Sequence, residues 1–133
     1  MKHLEVVAAI ITADQKILCV QRGDTKYAYT SNKYEFPGGK MEKGETSEDA
    51  LRREIQEELH QDIRITKHFM TVTHAYPDFH ITLHCYLCTC ENTELTLTEH
   101  IDFKWMELEK IGELDWVEAD REVVEKIGRE AFE

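Results

Sequence analysis

Leu51, Ile55 and Leu59 recur at every fourth residue of the segment 46–60, the spacing of a buried helical stripe. On either side of that segment the apolar residues come instead in short, β-branched runs. Residues 5–12 and 16–22 flank Ala13-Asp14-Gln15 and read as one hairpin. Residues 62–75 and 79–90 flank Tyr76-Pro77-Asp78 and read as a second, with proline suited to the first corner of a tight turn. A further strand is expected over 102–108 and an amphipathic closing helix over 120–132, with Val123, Val124 and Ile127 on one side. Strands that arrive in hairpins around one central helix argue for an α+β fold with a mixed sheet and against a doubly wound parallel sheet.

The central helix has a start signal as well as a stripe. Thr46 or Ser47 can cap it, Glu48 and Asp49 place negative charge in its first turn, and it should run to about His60. Before it, residues 23–33 form a polar loop with interspersed tyrosines, and Pro37-Gly38-Gly39 forces a sharp change of direction. No repeat or low-complexity segment interrupts the 133 residues, and a single domain over 1–133 is expected.

Charge narrows the function. Asp and Glu number 27 against 16 Lys and Arg, a formal net charge of −11. Such a surface repels phosphate polymers and anionic membranes, so neither is expected as a partner, and a small anionic ligand calls for a bridging cation. No apolar run approaches the roughly 18 residues of a membrane span, and the opening segment carries charge and no small-residue cleavage site, so a cytoplasmic location is expected. Cys85, Cys88 and Cys90 lie in an alternating strand-like run, which turns Cys85 away from the other two. Together with Cys19 they read as free, packed thiols rather than a zinc site.

The central helix also carries Glu54, Glu57 and Glu58 on a face other than its apolar stripe. Carboxylates at these spacings repel one another unless a cation compensates them, and hard divalent ions accept one or two carboxylates plus phosphate oxygens. Glu45, just before the helix, adds a fourth carboxylate.

From Gly39 the chain reads five residues, Glu45, seven residues, then Arg53-Glu54-Ile55-Gln56-Glu57-Glu58. This resembles the box that defines the Nudix hydrolases. It departs from the family pattern at His60, where glycine is usual, and at Gln61, where an apolar residue is usual. Asn32 to Lys40 and Tyr76 to Leu83 are also similar to MutT-type nucleoside triphosphate pyrophosphohydrolases, so the resemblance covers most of the chain.

That resemblance implies the Nudix α/β/α sandwich with a mixed sheet, Mg²⁺ as cofactor with Mn²⁺ as a substitute, and a nucleotide substrate bound by a monomer or homodimer. It implies that Glu54, Glu57, Glu58, Glu99 and the carbonyl of Gly38 hold the metal, while Gly39 and Glu45 are structural. Arg53 would orient the helix carboxylates, Glu54 or Glu99 would deprotonate the attacking water, and Arg22 would contact phosphates. Asp120 falls where related enzymes read the base. An ionised Asp only accepts hydrogen bonds, which suits the exocyclic amine of cytosine, and the CTP pyrophosphohydrolase subgroup is similar at this position. Asp120 could equally be the N-cap of the closing helix. Phe36, Phe79 and Tyr76 are candidates to wall the base. The expected reaction is hydrolysis of CTP, dCTP or modified pyrimidine nucleotides to monophosphate and pyrophosphate. The alternatives are 8-oxo-dGTP hydrolysis, another Nudix substrate such as ADP-ribose, and a nucleotide-binding module without catalysis.

Overall fold

Strand β1 (Lys2–Ala13) explains the layering by its own side chains, since Val7, Ala8, Ala9, Ile10 and Ile11 are consecutive and all essentially inaccessible. Successive side chains of a strand point to opposite faces, so a run buried without alternation requires cover on both faces of the sheet. In the computed structural model, which describes residues 2–130, that cover is a helix on each side. Val7, Ala9 and Ile11 pack with Ala50, Leu51, Ile55 and Leu59 of α1 (Ser47–Leu59). Ala8 and Ile10 pack on the other face with Val123 and Ile127 of α2 (Glu118–Arg129) and with Ile111 of a 3₁₀ turn, Leu108–Glu113. The result is the expected α/β/α sandwich, and each fully buried leucine or isoleucine of α1 contributes about 1.5–3 kcal/mol.

The remaining strands are β2 (Lys16–Gln21), β3 (Tyr34–Glu35), β4 (Gly38–Lys40), β5 (Ile63–Ala75), β6 (Phe79–Cys90) and β7 (Asp102–Glu107). The central order is β3-β2-β1-β6-β5, with β4 also on β1 and β7 also on β2. Both expected hairpins form. The first turns through Asp14 and Gln15, at φ of 51° and 65°, and so takes a left-handed turn without glycine. The second closes as Tyr76 N–H donates to the Phe79 carbonyl at 2.9 Å. What hairpin logic does not reach is the parallel pairing of β1 with β6, in register from Lys2 opposite Phe79 to Thr12 opposite Thr89. This pairing makes the sheet mixed.

Helix α1 begins as its residues dictate, the Thr46 hydroxyl accepting from Asp49 N–H at 3.1 Å. It ends at His60, which takes φ 52° and ψ 43°, the left-handed conformation a glycine would adopt without a steric penalty. The closing helix is shifted from expectation. It starts at Glu118 with Val117 in the cap position, so Asp120 lies inside its first turn and is not its N-cap. The expected end at Phe132 lies outside the described residues. The cysteines divide as strand alternation requires, Cys85 in the core under α2 and Cys88 in the core under α1, and all four thiols are free. No helix among the described residues is long and apolar enough to cross a membrane.

Candidate active site

A cavity of about 780 Å³ opens beside the start of β1 and is walled by β4, α1, the 23–30 loop, the β5–β6 turn, residues 99–100 and the start of α2. Its two ends differ in chemistry. One presents Glu54, Glu58 and Glu99 beside Gly38 and Gly39, and the other is closed by Phe36, Tyr76, Phe79, Ala119 and Asp120. Arg22 and Glu35 line the wall as well.

The carboxylate end is organised by Arg53. Its Nε and Nη2 donate to the two oxygens of Glu45 at 2.7 and 2.9 Å, its Nη1 reaches Glu54 at 2.9 Å and Glu57 at 3.1 Å, and Nη2 also reaches the Lys40 carbonyl at 3.1 Å. One guanidinium thus ties the pre-helix turn, β4 and the helix face together. Glu45 accepts from Glu42 N–H as well, and these bonds hold its carboxyl down at about 2. Glu54 is raised, first by burial and then by the Glu57 and Glu99 charges, against the lowering effect of Arg53. Glu58, 6% exposed, is pushed up to about 9 by burial and by Glu35, Glu54 and Glu99, with one hydrogen bond from Gly38 N–H at 3.2 Å in opposition. Close approach explains the two glycines. A Cβ on Gly38 would collide with the Val7 carbonyl of β1, and one on Gly39 with the Glu54 carboxylate.

Glu99 arrives from a different part of the chain. The 91–100 segment is strapped to the end of α1, with Thr98 Oγ1 donating to the Glu57 carbonyl at 2.9 Å and Thr96 N–H to the Leu59 carbonyl at 3.1 Å. Gln61, 6% exposed, donates to the Asn92 and Glu94 carbonyls at 3.1 and 3.0 Å. The polar residue at this family-apolar position is therefore used to hold the loop. Its difference from the family pattern was visible in the sequence, but its partners were not.

These donors suit a hard divalent cation. They are carboxylate and carbonyl oxygens only, neighbouring carboxylates raise the proton affinity of Glu54 and Glu58, and Gly39 leaves room beside Glu54. Among the described residues, however, no three such side chains are already gathered as a closed metal cluster. Glu54 and Glu57 instead share the Arg53 guanidinium.

At the other end Asp120 is 4% exposed and its Oδ2 accepts from Phe36 N–H at 2.9 Å. Burial, and secondarily the charge of Glu35, pushes its carboxyl up to about 8. Burial thus favours the uncharged acid, which is a donor as well as an acceptor. Phe36 packs tilted against Trp116 with ring centroids 4.6 Å apart, and Tyr76 Oη accepts from Ala119 N–H at 2.9 Å, satisfying a first-turn amide of α2. The 23–33 loop is clasped across this end. Tyr27, Tyr29 and Tyr76 stack in series at 5.1 and 5.3 Å, and the Tyr29 hydroxyl donates to Asp78 at 2.7 Å. Two further residues escaped the sequence reading. Glu35 Oε1 accepts from Arg22 Nη1 at 3.3 Å, and its Oε2 accepts from His100 Nε2 at 2.9 Å.

A carboxylate-faced helix, a glycine turn against it and a deep adjoining pocket on this sandwich define a class of phosphoanhydride hydrolase. The NUDIX domain model matches residues 1–127, and the chain belongs to that family. It is 34% identical to the 8-oxo-dGTP diphosphatase of Escherichia coli K12 over 97% of its own length and 99% of that protein. It is 41% identical to the CTP pyrophosphohydrolase of the same organism, over 62% of this chain and 69% of that one. Among solved structures, MutT of the Nudix hydrolase family from methicillin-resistant Staphylococcus aureus 252 superposes with a TM-score of 0.77 at 40% identity, covering 98% of this chain and 100% of that one. The protein is thus a Nudix pyrophosphohydrolase that acts on small nucleotides with divalent metal ions.

Proposed function

We propose that the protein hydrolyses nucleoside triphosphates to monophosphate and pyrophosphate, and that its preferred base is an oxidised guanine, as in 8-oxo-dGTP. The observation that carries this reading is Asp120, a buried carboxyl pushed up to about 8 in the lining of the same cavity that Glu54, Glu58 and Glu99 also line. With one oxygen engaged by Phe36 N–H, its O–H is available to a carbonyl such as O6 of the purine. The 34% identical diphosphatase supports the same choice.

Glu54, Glu57, Glu58, Glu99 and the Gly38 carbonyl would hold Mg²⁺, or Mn²⁺ in its place. The bound cation supplies positive charge that offsets the triphosphate's repulsion of a nucleophile and makes water easier to deprotonate. Arg22 contacts the phosphates, Arg53 keeps the helix carboxylates in register, and Glu54 or Glu99 takes the water proton on a carboxylate oxygen. Phe36 and Phe79 wall the base. Water adds at the β-phosphorus and the bridging bond to the α-phosphate breaks, leaving monophosphate and pyrophosphate.

A cytosine nucleotide, CTP, dCTP or a modified pyrimidine, is the second reading. It is favoured by the acceptor character Asp120 gains once ionised and by the 41% identical CTP pyrophosphohydrolase. One assay tests both. Purified protein with Mg²⁺ is given 8-oxo-dGTP, dGTP, CTP, dCTP, 5-hydroxy-dCTP and ADP-ribose in ¹⁸O-labelled water. Label in pyrophosphate with 8-oxo-dGTP leading in kcat/KM is expected, and a cytosine nucleotide in the lead moves the assignment to the second reading. Label in the monophosphate refutes the position of attack.

A further inference from the structure

Glu35 lines the cavity wall, and its charge raises both Glu58 and Asp120. A carboxylate there adds to the repulsion at both ends, and neither expected role of the site accounts for it. Its two oxygens are divided between two donors, Arg22 Nη1 at 3.3 Å and His100 Nε2 at 2.9 Å. The Arg22 contact is long and uses one N–H, on a side chain 39% exposed, so it steers the guanidinium without locking it. The His100 contact is shorter and protected, the imidazole side chain being 4% exposed.

His100 is a poor residue for packing alone. Its Nδ1 is buried with no hydrogen-bond partner among the described residues, a situation an apolar side chain of similar size would avoid. What it contributes is the Nε2 donor. Because a carboxylate only accepts, that donor pins Oε2 of Glu35 and leaves Oε1 turned to Arg22. His100 itself follows Glu99 on the loop strapped to α1 by Thr98, so its position is set from the carboxylate end of the cavity.

We propose that His100 is a positioning residue for substrate binding, acting through Glu35 to present the Arg22 guanidinium to the phosphates. The inference rests on Arg22 contacting phosphate, and it concerns the ground-state grip on substrate rather than proton transfer.

The test is a mutant cycle read by two probes in Mg²⁺: KM and kcat for 8-oxo-dGTP, and calorimetric Kd for inorganic pyrophosphate, which has no base. His100→Leu is expected to raise KM and pyrophosphate Kd by on the order of tenfold with kcat within about threefold. His100→Gln, whose amide N–H can reach the same oxygen, should stay within about threefold of the unaltered protein in both. Glu35→Gln should repeat the His100→Leu defect, which keeps the test open if the leucine variant does not fold. In an Arg22→Ala background His100→Leu should add less than about twofold.

Full additivity with Arg22→Ala overturns the inference, as does a glutamine variant no better than leucine. A fall in kcat accompanied by a raised Mg²⁺ requirement also overturns it, because His100 would then act on Glu99. Arg22→Ala with unchanged pyrophosphate Kd removes the phosphate role of Arg22 itself, and is thereby distinguishable from failure of the His100 link.

Discussion

The two ends of the cavity both bury a carboxyl group, and they handle it differently. At the carboxylate-rich end Glu58 stands among Glu35, Glu54 and Glu99, and the guanidinium of Arg53 pairs with Glu54 beside it. At the other end Asp120 has one peptide N–H and otherwise Phe36, Tyr76 and Cys85 close by, so burial, ahead of the opposed charges of Glu35 and Arg22, raises its proton affinity. Crowding of like charges suits a group that is to meet a cation. Burial beside apolar side chains suits one that is to meet an uncharged base. The same residue chemistry thus meets two different environments in one cavity.

On that contrast, changes at the first end should strike turnover and changes at the second should strike choice of base. The largest effect is expected for Glu57→Gln, a loss of turnover of at least about a hundredfold with an unchanged circular dichroism spectrum. Near-normal kcat in that variant would remove Glu57 from the metal site. Chelation should abolish activity in the unaltered protein and Mg²⁺ or Mn²⁺ should restore it; turnover that persists in excess chelator would contradict the carboxylate assignment as a whole.

Asp120→Asn should leave kcat on the best substrate within reach of the original while altering the ratio of kcat/KM between 8-oxo-dGTP and dCTP by about tenfold, the worth of one hydrogen bond to a base. An unchanged ratio would mean that Asp120 does not read the base. The same variant carries a pH signature. A carboxyl raised from 3.8 to about 8 stabilises the fold below its unfolded value, and that stability is lost as pH rises toward 8. An asparagine side chain does not titrate, so the stability of Asp120→Asn relative to the parent should grow between pH 5 and pH 8, by up to about 4 kcal/mol at 1.36 kcal/mol per unit. Denaturant unfolding at the two pH values measures it, and a pH-independent difference would place the carboxylate in contact with water. The smallest effect is at His60, remote from the chemistry. His60→Gly should stabilise by about 1 kcal/mol through relief of its left-handed backbone, with kcat unaltered, and a lower Tm would show that the imidazole does more than end the helix.

Legibility follows the same division. The central helix, its Thr46 cap, its apolar stripe and its acidic face are all properties of residues within a few positions of one another, and Glu45 with Arg53 is eight residues apart on the same local unit. Periodicity and charge spacing reach that far, and the family resemblance at the box agrees with the reading there. Asp120 shows the limit. From its neighbours it reads equally as a helix cap, and only the fold brings Phe36 N–H, 84 residues away, to its side chain. Glu35 and His100 are further cases, a strand residue and a loop residue 65 positions apart with no spacing rule to join them.

By itself, then, the sequence determined the α+β class, both hairpins, the acidic face of the central helix and the identity of the catalytic family, because each depends on short-range stereochemistry or on a contiguous motif. Only the tertiary structure decided that β1 lies parallel to β6, that Gln61 and Thr98 strap the Glu99 loop to α1, and that Asp120 is buried with its proton affinity raised. Burial and proton affinity are set by every group that packs around a side chain, and those groups are assembled from segments whose separation along the chain carries no local signal.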